Sequence, residues 1–141
     1  MPIGRPSGGD SGGGGGLLIV PSLPALEAIP QGAAVAALSN GIMMCSAQDH
    51  ADQFIGFAIK DCATGTIVPI ATTRGTVITP LIESGGTLVI NKDVFLSSTR
   101  GRVTSLPQLS DIPRLVIRVG SAFSTSQFIL ATDMRIDLRA P

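Results

Sequence analysis

The sequence predicts an all-β fold: a small antiparallel β-barrel or β-sandwich with an extended Gly/Pro-rich N-terminal arm. Val, Ile and Thr supply 35 of the 141 residues, and their β-branched side chains favour a pleated sheet over a helix. Turn signals recur at Asn40-Gly41, Gly56, Thr64-Gly65, Arg74-Gly75, Gly85-Gly86, Arg100-Gly101 and Gly120, a spacing that suits short antiparallel strands. No window with helical periodicity runs beyond about two turns. The length is that of one domain, and the composition changes near residue 30. Residues 1–30 are therefore expected as a flexible or extended arm and residues 31–141 as a β-rich domain.

The arm has two parts. Eight of the 17 glycines fall within the first 16 residues and end in the run Gly12 to Gly16, backbone too free to fold alone and suited to a tether. From Leu17 to Pro30, prolines at 21, 24 and 30 separate the apolar residues Leu17, Leu18, Ile19, Val20, Leu23, Leu26 and Ile29. Proline removes donors and favours extended backbone, so this segment is expected as a strap. It needs a surface to lie on, either its own domain or a neighbouring subunit, since about 30 extended residues reach roughly 100 Å. These apolar residues, with Arg135 and Arg139 on the last strand, are the candidate partner-binding residues.

Strands are expected near 33–38, 42–47, 54–60, 66–72, 76–82, 87–91, 93–98, 102–105, 114–122, 126–131 and 133–139. In the last of these Met134, Ile136 and Leu138 alternate with Asp133, Arg135, Asp137 and Arg139, the pattern of a half-buried strand. Leu115, Ile117 and Val119 alternate similarly with Val116 and Arg118. Asp49 to Gln53 reads as one helical turn or a loop. Two internal echoes point to a repeated β unit. Thr73-Arg74-Gly75-Thr76-Val77 recurs as Thr99-Arg100-Gly101-Arg102-Val103. At larger scale, Gly32-Ala33-Ala34-Val35 through Ile55-Gly56-Phe57-Ala58 resembles Gly86-Thr87-Leu88-Val89 through Val119-Gly120-Ser121-Ala122. Two related halves would close into a small barrel or sandwich with few free edges.

Ten Lys+Arg balance ten Asp+Glu, and charged residues make only 14% of the chain, about half the usual ~25%. A basic footprint for nucleic acid is missing, and a near-zero net charge promotes association. The apolar run Leu17 to Val20 stops at Pro21, far short of a membrane span. Nothing near Arg5 resembles a secretory signal, so synthesis in the cytoplasm is expected. Arginine outnumbers lysine eight to two; Arg74, Arg100, Arg102, Arg114, Arg118, Arg135 and Arg139 all fall in the β domain, where planar guanidinium groups suit protein interfaces or pair with nearby aspartates.

The search for chemistry nominates no catalytic, cofactor-binding or metal-binding residue. Cys45 and Cys62 lack disulfide-framework or zinc spacing and read as small buried residues. His50 lies between Asp49 and Asp52 with Ser46 nearby, but no GxSxG elbow accompanies them, and a solvated loop is the simpler reading. Cys45, His50, Asp52 and Cys62 match no zinc pattern. Asp61, Glu83, Asp93, Asp111, Asp133 and Asp137 are scattered and nominate no acid/base pair. Gly12 to Gly16 has no following Lys-Ser/Thr and no helix to open, so it is not a phosphate loop. Phe54, Phe57, Phe95, Phe123 and Phe128 are expected in the core.

The stretch Gly32-Ala-Ala-Val-Ala-Ala-Leu-Ser-Asn-Gly41, followed by Phe54-Ile-Gly-Phe-Ala-Ile59 and Thr64-Gly-Thr-Ile-Val-Pro-Ile70, resembles small tailed-bacteriophage virion proteins that decorate or cement capsids. Val94 to Thr104 with Pro107, then Val116-Ile-Arg-Val-Gly-Ser-Ala122, is similar to segments of phage decoration and tail-fibre proteins. The resemblance covers about 100 residues, rests on strand-and-turn grammar, and brings no catalytic residues. It implies a β-barrel or sandwich, a homotrimer, seated on the outer capsid surface where major capsid protein subunits meet. The expected location is then the virion, with no cofactor, nucleic acid or membrane partner. Two other classes stay open: a tail-fibre, head-fibre or baseplate adhesin with the glycine run as its joint, and an enzyme using His50 as base.

Overall fold

The computed structural model describes residues 17–105 and 115–137. The Gly12 to Gly16 tract, Arg5, Pro107, Asp111, Arg114, Leu138 and Arg139 lie outside the described residues. The protein is all-β, and its regular helical structure among the described residues is confined to two single 3-10 turns, Ala51–Gln53 and Glu83–Gly85. The strands are β1 Leu17–Pro24, β2 Ala34–Leu38, β3 Gly41–Met44, β4 Phe54–Ala58, β5 Ile67–Ala71, β6 Val77–Ile78, β7 Leu81–Ile82, β8 Asp93–Leu96, β9 Arg102–Thr104, β10 Leu115–Ala122 and β11 Phe128–Asp137. They form a five-stranded sheet of order β1-β5-β4-β2-β3 and a six-stranded sheet of order β6-β11-β10-β8-β9-β7.

Three strand expectations are corrected. The 76–82 run splits into β6 and β7, because Thr79 and Pro80 part them and proline cannot donate to a ladder. Residues 87–91 form turn and loop. The runs 126–131 and 133–139 are one strand, β11: Phe128, Leu130, Met134 and Ile136 share one parity, so the alternation never changes phase.

The two sheets are built alike. In the first, β2 and β3 form a hairpin, β4 pairs with β2, and β5 pairs with β4; in the second, β8, β9, β10 and β11 repeat that connectivity. In each half the preceding strand, β1 or β6, adds antiparallel to the far edge. The chain then crosses to the opposite edge and pairs parallel with the hairpin's second strand, through Ala25 with Ile42 and through β7 with β9. This draws each sheet towards a barrel, which leaves fewer open edges.

The register repeats residue by residue. Ala34, Val35 and Ala36 face Phe57, Gly56 and Phe54 across a bulge, and Asp93, Val94 and Phe95 face Ser121, Gly120 and Arg118 across the same bulge. Both glycines lie against the backbone of the next strand: an added Cβ would sit 2.2 Å from the Ala71 carbonyl oxygen at Gly56 and 2.0 Å from that of Ile129 at Gly120. The entry turns match as well. The Gly32 amide donates to the Ala58 carbonyl and the Ala58 amide to that of Ala33 (2.8 and 2.9 Å), as Asn91 and Ala122 do with Ala122 and Lys92 (2.8 and 3.0 Å). Gly32 and Asn91 both have positive φ, 88° and 67°, a region that glycine and asparagine tolerate best. The larger echo thus holds at Ile55–Ala58 with Val119–Ala122, while the counterpart of Gly32–Val35 is Asn91–Val94 rather than Gly86–Val89. The Thr-Arg-Gly echo is a local turn: Thr76 and Arg102 each donate to the carbonyl three residues back, at 3.1 and 3.2 Å.

Two apolar clusters follow from this arrangement. Val35, Ile42, Ala58, Val68 and Ile70 bury one face of the first sheet beneath Ala25 and Ile29. The other face, carrying Ala34, Ala36, Phe54, Phe57 and Ala71, is buried against Ile78, Leu88, Val94, Leu96, Val103, Phe128 and Leu130 of the second half. Phe57 joins the halves, meeting Phe54 and Phe128 edge to face at centroid distances of 5.5 and 5.3 Å. Such pairs add ~0.5–1.5 kcal/mol beyond their burial.

Candidate partner-binding surfaces

The strap residues go to different places. Leu17, Leu18, Ile19 and Val20 belong to β1, where Leu17, Leu18 and Ile19 register with Ala71, Ile70 and Pro69 of β5. β1 is the outermost strand of its sheet, with a strand neighbour on one side only. Leu23 and Leu26 are half-buried, and Ile29 is 1% exposed within the first cluster, held by exchange of backbone hydrogen bonds with Cys62 at 2.9 and 2.8 Å. Residues 17–30 thus lie on the chain's own sheet, and Ile29 has no surface to offer a partner. Arg135 falls in β11.

The cations are engaged within the chain. The Arg100 guanidinium donates to Glu27 and, at 3.3 Å, to the Met44 carbonyl, while the Met44 amide donates to Glu27 at 3.0 Å. This ties the strap to the turn before β9. Arg102 donates to the Ile82 carbonyl at 2.9 Å. Arg118 donates to Asp93 and to the Ser121 hydroxyl, each at 2.8 Å, and to the Ala131 carbonyl at 3.3 Å.

Sequence reasoning missed the outer face of the second sheet. Register runs Val77, Ile129, Ser121 and Asp93 across β6, β11, β10 and β8, and then pairs Phe95 with Arg118. Their neighbours Ile78, Phe128, Ala122 and Val94 point into the core, so this row points outward. Val77 is 52% and Ile129 41% exposed, and Phe95 is half-buried. Phe95 and the 44% exposed Phe123 correct the expectation that every phenylalanine is core: Phe95 has the outward parity of β8, and Phe123 lies just past the end of β10. Separate alternation signals in β6 and β11 were legible, but β6 is too short to reveal its face unaided.

His50 adopts a left-handed conformation, and its Nδ1 lies 3.2 Å from the Gln53 side-chain oxygen. Ser46 is buried, and its hydroxyl accepts the Gln48 and Asp49 amides at 3.1 and 2.9 Å, so it closes a turn. Among the described residues no group of three metal-capable side chains gathers. Cys45 and Cys62 are buried free thiols; burial pushes the Cys45 thiol up to about 12 despite the opposing Arg100 charge. The Ser97 hydroxyl, supported by Thr99, Ser84 and the Arg102 charge, holds the Glu83 carboxyl below its usual range against the opposing effect of burial. Gln31, Gly32, Ala58 and Ile59 face Val77, Ile78 and Thr79 across a cleft between the halves.

A scan against protein-family models finds no match for the chain, and a search of curated proteins finds none either.

Proposed function

We propose that the chain is a virion structural protein of the capsid decoration or cement type, binding the outer capsid surface between major capsid protein subunits as a homotrimer and stabilising the head. Support comes from the resemblance carried by Gly32 to Ile70 and Val94 to Ala122, and from the low charge and arginine bias. The observation that carries the reading is the position of β1. The apolar strap ends the first sheet as an edge strand with one neighbour, and the glycine-rich tract of residues 1–16 leads directly into it. An edge strand offers backbone donors and acceptors to a strand of another protein, and a tether lets that contact be made at a distance. Many copies, each adding modest buried area across lattice contacts, act together.

Co-sedimentation with particles that lack the protein tests this. The full chain is expected to pellet at a fixed, high copy number, and deletion of residues 1–16 to weaken pelleting at least tenfold while circular dichroism and Tm are kept. A full chain that stays in the supernatant overturns the reading; a few copies per particle would place it in a tail or fibre instead.

A further inference from the structure

We propose that the outer face of the second sheet, formed by Val77, Ile129, Ser121, Asp93, Phe95 and Arg118, is where the chain docks a second copy of itself. This deepens the self-association in the proposed function and rests on that part of it. The register of the two halves provides the argument. Ile129, Ser121, Asp93, Phe95 and Arg118 stand at the positions that Ala71, Phe57, Ala34, Ala36 and Phe54 hold in the first half. In the first half that face is buried, and what buries it is the other repeat of the same chain. The repeat thus already packs this face against a repeat of its own kind once, and a second copy brings further repeats.

The chemistry of the face favours the same occupant. Its apolar residues Val77 and Ile129 are directly paired across the strands, at 52% and 41% exposure. Its two opposite charges, Arg118 and Asp93, are bound to each other at 2.8 Å. A face with apolar residues, an arginine, an aromatic and no net charge has the composition of an interface centre. It gives a strongly acidic or basic partner nothing to pair with, whereas a chain of formal net charge zero meets it without repulsion.

The test is the mass of the full chain in solution, by light scattering and sedimentation across a concentration series. The wild type is expected at an integer multiple of 14.4 kDa, and Ile129→Arg at the mass of a single chain with unchanged circular dichroism. Ala28→Arg, on the exposed part of the strap, should keep the wild-type mass. If Ile129→Arg unfolds, Val77→Arg at the more exposed partner position carries the test. A wild type that is a single chain at every concentration, or arginine variants that assemble like the wild type, overturns the proposal. Particle binding is read separately: an assembled chain that does not pellet with particles breaks the capsid reading alone, and a single chain that pellets breaks this one alone.

Discussion

In the first half of the molecule, Ala34, Ala36, Phe54, Phe57 and Ala71 form a face buried under the second sheet; in the second half the same register positions hold Asp93, Phe95, Arg118, Ser121 and Ile129 and look outward. The opposite faces are alike: Val35, Ala37, Ile42, Ile55, Ala58 and Ile70 correspond to Val94, Leu96, Val103, Val119, Ala122 and Phe128, and all of them pack in core clusters. One face, the bulge and its glycine therefore suffice to specify the sheet, and the other face is set by whatever lies on it. Alanine fits where two sheets close on each other, because small side chains let the layers approach. An arginine–aspartate pair fits where the face meets solvent, because neither charge is then stripped of water.

The contrast breaks most directly at Phe57 and its counterpart Ser121. Phe57 is fully buried and contacts two rings, one from each half, so Phe57→Ala should cost ~3–5 kcal/mol by urea unfolding. Ser121→Ala loses only a partly exposed hydroxyl that accepts from Arg118, worth about 1 kcal/mol or less. Equal costs would mean that the two faces do not differ as described.

The likeness of the halves is tested at the glycines that flank the bulges. Gly56→Ala and Gly120→Ala each drive a Cβ into the carbonyl of the adjoining strand, at 2.2 and 2.0 Å. Backbone cannot swing aside as a side chain does, so each should cost at least ~1–3 kcal/mol. Gly32→Ala belongs with them, because its positive φ is compounded by the Thr79 carbonyl 2.4 Å from the added carbon. A tolerant Gly120 beside an intolerant Gly56 would break the equivalence of β4 and β10.

A smaller effect should appear in alkali. Cys45, in the cluster between the halves, has its thiol raised to about 12, while an unfolded cysteine titrates near ~8.5. Its contribution to stability is complete below the unfolded value and is lost as pH climbs towards the folded one, since only the unfolded chain gains by ionising there. Between pH 8 and 10.5 the wild-type Tm should fall more steeply than that of Cys45→Ala. Parallel slopes would show that this thiol is not sealed between the sheets.

Much of the fold was legible because its signals are local. The β-branched composition and glycine turns gave the all-β class, and Ile55-Gly56-Phe57-Ala58 against Val119-Gly120-Ser121-Ala122 gave the duplication at its most constrained point, where only glycine fits. What was not legible is non-local. The first echo was drawn to Gly86 because glycine resembles glycine, yet the counterpart of Gly32 is Asn91, a different residue type with the same backbone sign. The strap's apolar residues showed that it needs a surface, but not that Ile29 would exchange hydrogen bonds with Cys62. The outward row from Val77 to Asp93 draws on four strands, and no single strand's alternation reveals it.

The finest test of the comparison lies at that turn. Gly32 and Asn91 make the same hydrogen bonds with the same sign of φ, but Gly32 is buried against the Thr79–Pro80 backbone and Asn91 is exposed. Asn91→Gly relieves a left-handed asparagine and adds freedom to the unfolded chain, two terms of opposite sign and each below about 1 kcal/mol. The expected change in urea midpoint is therefore within about 0.5 kcal/mol of zero, small beside the cost of changing Gly32. A large loss on Asn91→Gly would mean that the Asn91 side chain holds the second half together in a way the first half does without, and the two turns would then be alike in backbone alone.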